Sequence, residues 1–292
     1  MPTENIQWFP GHMAKTRRMI SENLKNVDII IEILDARIPF SSRNPEIAKL
    51  TAQKPRLILL NKADLADPSQ NRIWMKSFQT ESSKSILTNC STGQGFKEIP
   101  AAIREILSEK ISRYEARGMG GRKLFAMVLG IPNVGKSTFI NRISKTKNAK
   151  AEDRPGVTKT KQWISTTLGI DFLDMPGILW PRFDNQTIGE NLALTGAIKD
   201  ESQDLLHLGI VLCKRLRTLY PDALAARYKF DNPGQFEGLT DYELFLQIGK
   251  KRGFLISRGE INEERTANVL LDEFRNAKIG LMTLDRLPEE SR

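Results

Sequence analysis

The sequence predicts an α/β fold, a parallel sheet flanked by helices, followed by a smaller all-helical domain. Three observations predict it. Short, nearly all-apolar runs alternate with amphipathic stretches as far as about residue 185, as expected for strands buried on both faces. One such run, Leu124 to Leu129, passes into Gly130-Ile-Pro-Asn-Val-Gly135-Lys136-Ser137 and then a helical pattern, the strand–turn–helix setting of a GxxxxGK[ST] phosphate loop. Beyond residue 185 the strand signals stop, and helical segments alternate with Pro/Gly breaks. The expected division is residues 1–185 and 186–292.

Taken in order, a helix is expected from Met13 to Asn26 on the apolar spacing of Ile20, Leu24 and Val27. Ile29 to Leu34 reads as a buried strand ending at Asp35-Ala36-Arg37. A helix near 45–52 precedes a second strand, Arg56 to Leu60, which runs into Asn61-Lys62-Ala63-Asp64. A helix near 69–80 leads to the strand Ser85 to Thr88 and the loop Asn89-Cys90-Ser91. One helix is expected over 97–116, then a flexible basic connector, Gly118 to Lys123. The phosphate loop opens a helix at 136–145, and strands near 162–168 and 170–173 meet at a turn around Gly169. The second ends at Asp174-Met175-Pro176-Gly177. Helices near 187–199, 203–219, 240–250 and 262–276 complete the chain, with breaks at Tyr220-Pro221 and Asn232-Pro233-Gly234. His207 and Cys213 read as packing residues.

Composition narrows the function classes. The chain has 292 residues, 40% hydrophobic and 27% charged, which fits a soluble globular protein. No apolar run approaches the length of a membrane span, and the N-terminus lacks the regions of a secretory signal, so a cytoplasmic protein with no membrane partner is expected. Its 2 cysteines, Cys90 and Cys213, provide neither a disulfide framework nor metal-finger spacing. The net charge of +9 is uneven: residues 1–189 carry 29 basic and 18 acidic side chains, residues 190–292 carry 15 and 17. A basic nucleotide-binding half favours a phosphate-rich partner such as RNA.

The motifs supply the chemistry. In the phosphate loop, Asn133, Val134, Gly135, Lys136, Ser137 and Thr138 surround the phosphates with backbone N–H groups at a helix N-terminus. Lys136 reaches the β- and γ-phosphates and the Ser137 hydroxyl ligates Mg²⁺. Guanine offers two donors to the Asp64 carboxylate, whereas adenine would leave that carboxylate unpaired. Lys62 can lay its stem over the base, and Asn61 can tie its loop to the phosphate loop. Asp174 is placed to hold Mg²⁺ through water, and the Gly177 N–H to meet the γ-phosphate. Thr158, with Thr160 as the competing choice, is placed to close on Mg²⁺ when GTP binds. Asn89, Cys90 and Ser91 stand where a loop contacting the guanine edge is expected.

These motifs resemble the five nucleotide-binding motifs of GTPases, in rotated order. Guanine recognition comes first, and the phosphate loop, Thr158 and Asp174–Gly177 follow, which describes a P-loop GTPase fold with circularly permuted motif order. Gln7-Trp8-Phe9-Pro10-Gly11-His12-Met13-Ala14-Lys15, Asp35-Ala36-Arg37-Ile38-Pro39 and Pro176-Gly177-Ile178-Leu179-Trp180-Pro181 closely resemble the ribosome biogenesis GTPase A family. The resemblance implies hydrolysis of GTP to GDP during late assembly of the large ribosomal subunit. It also implies an immature subunit and its rRNA as partners, bound through a helical C-terminal domain, with no DNA. The loop Asn89-Cys90-Ser91 departs from the Ser-Ala-Lys common in relatives. Ile178 replaces the glutamine that orients water in many GTPases, and the resemblance gives that task to His12. Asn133 resembles the asparagine of potassium-activated relatives, implying K⁺ as an activating ion. Permutation sends the chain from Gly177 through Trp180-Pro181 straight into the helical domain, so a γ-phosphate contact can move that domain. Lys250-Lys251-Arg252 and Arg258 read either as rRNA contacts or as a solvated face. The rival reading is a nucleotide-gated RNA-binding scaffold with little catalysis, or a GTPase of another RNA-related process.

Overall fold

The computed structural model describes residues 11–144, 162–179, 183 and 185–287. Its centre is a six-stranded sheet built from β1 (Ile29–Asp35), β2 (Arg56–Asn61), β3 (Ser83–Thr88), β4 (Leu124–Gly130), β5 (Gln162–Ile164) and β6 (Ile170–Asp174), in the order β3-β2-β1-β4-β6-β5. All pairings but one are parallel. The exception corrects the expectation of a wholly parallel sheet: β5 runs antiparallel to β6 at the edge, because a connection of only five residues cannot make a parallel crossover. Every residue of β1, β2 and β6 is buried, which explains their nearly unbroken apolar sequences. The parallel strands end on one side of the sheet. Asp35 lies in register with Asn61, Asn61 with Thr88, and Val128 with Asp174, so loops far apart in sequence gather at that edge.

Helices α1 (Gly11–Leu24), α2 (Pro45–Leu50), α3 (Pro68–Ser77), α4 (Ile99–Ile106), α5 (Ser108–Ala116) and α6 (Lys136–Ser144) accompany the sheet. Proline at the first turn and a capping side chain start both α2 and α3, from Asn44 and Asp67. The single helix expected over 97–116 is divided. Leu107 leaves helical geometry (φ −98°, ψ 13°) and packs into the core, while α5 buries no residue.

The helical half comprises α7 (Gln186–Leu194), α8 (Leu205–Leu219), α9 (Pro221–Tyr228), α10 (Asp241–Lys251) and α11 (Glu263–Arg275), with α8 packed against the other four. Helix α9 stands where a break was expected. Pro221 occupies its first position, where the missing N–H costs nothing, so the proline starts a helix instead of only ending one. Gly209 permits the close approach of α8 and α10, since a Cβ there would meet the Phe245 ring at 2.8 Å. Cys213 is buried, but His207 is exposed in the first turn of α8, against its expected packing role.

The segment after α11 returns to the sheet half. The Met282 and Leu284 N–H groups donate to the carbonyls of Leu65 (3.1 Å) and Arg37 (2.7 Å). Buried Asp285 accepts from the Ser41 N–H and hydroxyl, both at 2.7 Å, and from the Asn191 amide at 2.9 Å. Tyr220 donates to Asp67 at 3.0 Å and accepts from the Thr283 N–H at 2.9 Å. This strap fastens the helices to the loops following β1 and β2.

Candidate nucleotide-binding site

Asn61, the last residue of β2, joins three loops. Its amide donates to the Val134 carbonyl at 2.7 Å, and its oxygen accepts from the Cys90 N–H at 2.8 Å. The phosphate loop approaches so closely that Gly135 (φ +101°) has no room for a side chain: a Cβ there would lie 2.3 Å from the Asn61 amide. Lys62 follows in left-handed conformation (φ 59°), and its ammonium pairs with Asp35 at 2.9 Å. Asp64 is exposed at the mouth of this loop.

A cleft of about 410 Å³ is lined by Ile131, Pro132, Asn133, Gly135, Lys136, Ser137, Thr138, Pro176 and Gly177. It brings the phosphate loop against the segment after β6; a Cβ on Gly177 would lie 3.2 Å from the Pro132 nitrogen. Ser137 and Thr138 are exposed, whereas Lys136 is buried and its ammonium bonds Asp174 at 2.6 Å. The two charges thus neutralise each other at the wall of the cleft. Ser137 and Asp174 offer hard oxygen ligands beside a phosphate cradle, a donor set that suits Mg²⁺.

The third loop is held from behind. The Asn89 side chain accepts from the N–H groups of Ser91 (2.8 Å) and Thr92 (3.0 Å). Arg142, in the last turn of α6, donates to the Cys90 carbonyl at 2.9 Å and also to the Ser91 carbonyl, with its guanidinium 5.7 Å from the Phe96 ring. Burial pushes the Cys90 thiol up to about 12, so it is a packing group. Sequence reasoning missed Arg142, because no local pattern sets this arginine apart; its role exists only once α6 lies beside the loop after β3.

Asp35 and Arg37 form the fourth part. Both are buried, with Arg37 Nη2 2.8 Å from Asp35 Oδ2. Burial works to raise the Asp35 carboxyl, but the Arg37 and Lys62 cations overcome it and hold the group well below the usual carboxylate range. Arg37 also donates to the carbonyls of Thr195 and Arg275, each at 3.3 Å. Asn133, in left-handed conformation (φ 58°), donates from its amide to the Gly196 carbonyl at 2.8 Å. The loop after β1 and the phosphate loop thus both touch the turn that ends α7.

The structure therefore brings together Asn61, Lys62, Asp64, Asn89, Cys90, Ser91, Asn133, Val134, Gly135, Lys136, Ser137, Thr138, Asp174 and Gly177 along one edge of the sheet. His12 lies in the first turn of α1; its side chain, and Thr158 and Thr160 altogether, lie outside the described residues. The same holds for Trp180-Pro181. Among the described residues no cluster of metal-ligating side chains is found, and no helix is long and apolar enough to cross a membrane.

A family model described as "50S ribosome-binding GTPase" matches residues 125–217, beginning at the phosphate-loop strand and leaving the base-reading loops upstream. The chain is similar to "Ribosome biogenesis GTPase A" of Bacillus cereus, 45% identical over 98% of this chain and 95% of that protein. It is also similar to "Mitochondrial ribosome-associated GTPase 1" of Xenopus tropicalis, 33% identical over 97% of this chain and 95% of the other. Among solved structures it resembles GNP-bound YlqF from T. maritima, with a TM-score of 0.60, 25% identity and coverage of 93% of this chain and 98% of that one.

Proposed function

Because the chain belongs to the ribosome biogenesis GTPase A family and is a ribosome-associated, circularly permuted GTP hydrolase, we propose that its target is the immature large subunit. In this reading residues 1–185 form the GTPase unit and residues 186–292 contact rRNA. The observation that carries it is the pair of hydrogen bonds from Asn133 and Arg37 to consecutive carbonyls, Gly196 and Thr195. They tie the phosphate loop, and the loop after β1 whose Asp35 holds Lys62, to the helical half.

The cycle follows from the charges. GTP phosphates draw Lys136 away from Asp174; Ser137, Thr158 and, through water, Asp174 would hold Mg²⁺, which would supply positive charge to the phosphates. Asp64 reads the guanine edge, and Lys62, held by Asp35, flanks the base. The Gly177 N–H meets the γ-phosphate, and Thr158, with Thr160 as its competitor, closes over it. Ile178 is apolar and buried, so water orientation falls to His12. The Asn133 amide nitrogen is engaged by Gly196, which leaves its oxygen for K⁺. Hydrolysis removes the γ-phosphate contacts, and the helical half then releases the particle.

Sedimentation with precursor large subunits under GTP, GDP and no nucleotide tests this cycle. Co-sedimentation favoured by GTP and stimulated multiple turnover are expected; equal binding in all three states overturns it. Binding without multiple turnover would point to a nucleotide-gated scaffold. His12→Ala should keep nucleotide affinity and lose subunit-stimulated hydrolysis.

A further inference from the structure

The loop between α10 and α11 is a small, ordered hairpin that the nucleotide site does not use. The Ile256 N–H donates to the Glu260 carbonyl at 2.9 Å, the Asn262 N–H to the Phe254 carbonyl at 2.8 Å, and Leu255 bridges Ile261 antiparallel. Its base is anchored by buried Phe254, with the Arg265 guanidinium 4.6 Å from the ring centre. Its tip is unlike the rest of the surface. Leu255 and Ile256 are 53% and 48% exposed, adjacent large aliphatic side chains directly after buried Phe254. Arg258 next to them sits in the left-handed region (φ 68°), followed by Gly259 at φ +80°. A non-glycine residue is uncommon in that region.

Charge selects the partner. Residues 250–258 hold Lys250, Lys251, Arg252 and Arg258 and no acidic residue, in a half of the chain whose balance is otherwise acidic. Lys251 and Arg252 are engaged internally, with the Lys229 carbonyl at 2.7 Å and with Glu273 at 2.5 Å. Lys250 and Arg258 are exposed and pair with no carboxylate among the described residues. An apolar wedge flanked by unpaired cations matches the two surfaces of unstacked RNA, base faces and phosphates.

We propose that this hairpin is an rRNA-reading element, with Leu255 and Ile256 packing against unstacked bases while Arg258 and Lys250 meet the adjoining phosphates. The proposal rests on the large-subunit reading above. The two kinds of contact have different salt signatures, which the test exploits. Affinity for large ribosomal subunits is measured with a non-hydrolysable GTP analogue between about 50 and 200 mM salt.

Leu255→Ser/Ile256→Ser should weaken binding about tenfold or more without altering the salt slope, since stacking is not ionic. Arg258→Ala should reduce that slope by about 0.7–0.9, the contribution of one phosphate contact. Both variants change exposed residues, so nucleotide affinity and intrinsic hydrolysis should stay at the parent's level. A photoreactive residue in place of Leu255 should crosslink to rRNA. Parental affinity in both variants, or crosslinks only to ribosomal protein, overturns the proposal. A parent protein that fails to bind the subunit overturns the large-subunit reading, and this one with it.

Discussion

The side-chain amide of Asn133 lies 2.8 Å from the Gly196 carbonyl, joining the phosphate loop to the turn that ends α7. The neighbouring Thr195 carbonyl accepts from Arg37, whose own partner Asp35 holds Lys62 beside the base loop. The same turn is fixed from the far side by Arg275, which donates to the Ala193 and Leu194 carbonyls and pairs with Asp200 at 2.7 Å. These hydrogen bonds join the phosphate loop and the loop after β1 to the helical half at a point separate from the segment after Gly177.

Asn133→Ala should uncouple nucleotide from particle binding. One neutral hydrogen bond is worth about 1 kcal/mol, so the affinity difference between GTP and GDP forms should shrink about fivefold. Paired sedimentation titrations measure it, and an unchanged ratio would show that coupling runs elsewhere. Replacing K⁺ by Na⁺ should slow hydrolysis by the parent protein and leave the variant's residual rate unaffected.

The Lys136–Asp174 pair makes a prediction about the protein without nucleotide. Both side chains are buried, and losing the Lys136 cation weakens the compensation of the buried Asp174 charge. Lys136→Met should unfold at distinctly lower urea than the parent when neither carries nucleotide, besides losing GTP affinity. Equal urea midpoints would mean that Asp174 is satisfied by other partners.

Arg142 is expected to set guanine affinity from behind the loop. Arg142→Lys keeps the charge but loses the planar fork that holds two successive carbonyls. GTP affinity should fall about tenfold while turnover at saturating GTP on subunits stays near the parent's. Preference for GTP over 6-thioguanosine triphosphate, which keeps N1–H and the 2-amino group but has sulfur in place of the O6 acceptor, should shrink. Preference over inosine triphosphate depends on Asp64 and should hold. A variant that loses both preferences equally would show a general collapse of the site.

The strands and the three loops that end them were legible because their signals are local: apolar runs of strand length, glycines at fixed spacing, and Asn61 to Asp64 directly after a strand. What escaped depends on neighbours distant in sequence. Proline at 221 reads as a break until a helix begins on it, whereas the turn at Gly169 already places β5 and β6 as neighbours. The partner of the Lys62 ammonium, Asp35, is brought to it only by the β1–β2 register. The strap carrying Asp285 has no periodicity at all, since its contacts are backbone hydrogen bonds to the loops after β1 and β2. Ser41, Asn191 and Asp285, its polar lock, lie in three separate parts of the chain.

Asp35 links acid stability to the base loop. Its carboxyl is ordinarily near 3.8 and is held far below that here, so on acidification the unfolded chain takes up the proton before the folded one. Stability from this group is therefore fully present above the unfolded value and is lost as pH falls through the folded one. Asp35→Asn should be destabilised by roughly 3 kcal/mol at neutral pH, because Arg37 remains buried without its anion. The gap from the parent should be constant from about pH 7 to pH 5 and then close below about pH 4, with a slope near 1.4 kcal/mol per pH unit. Urea unfolding of both proteins across that range measures it. A gap that stays constant down to pH 2.5 would mean that the variant suffers from altered packing and not from the lost charge. Lys62 should be released in the same variant, so GTP affinity should fall at neutral pH while Asp64 keeps the preference for guanine.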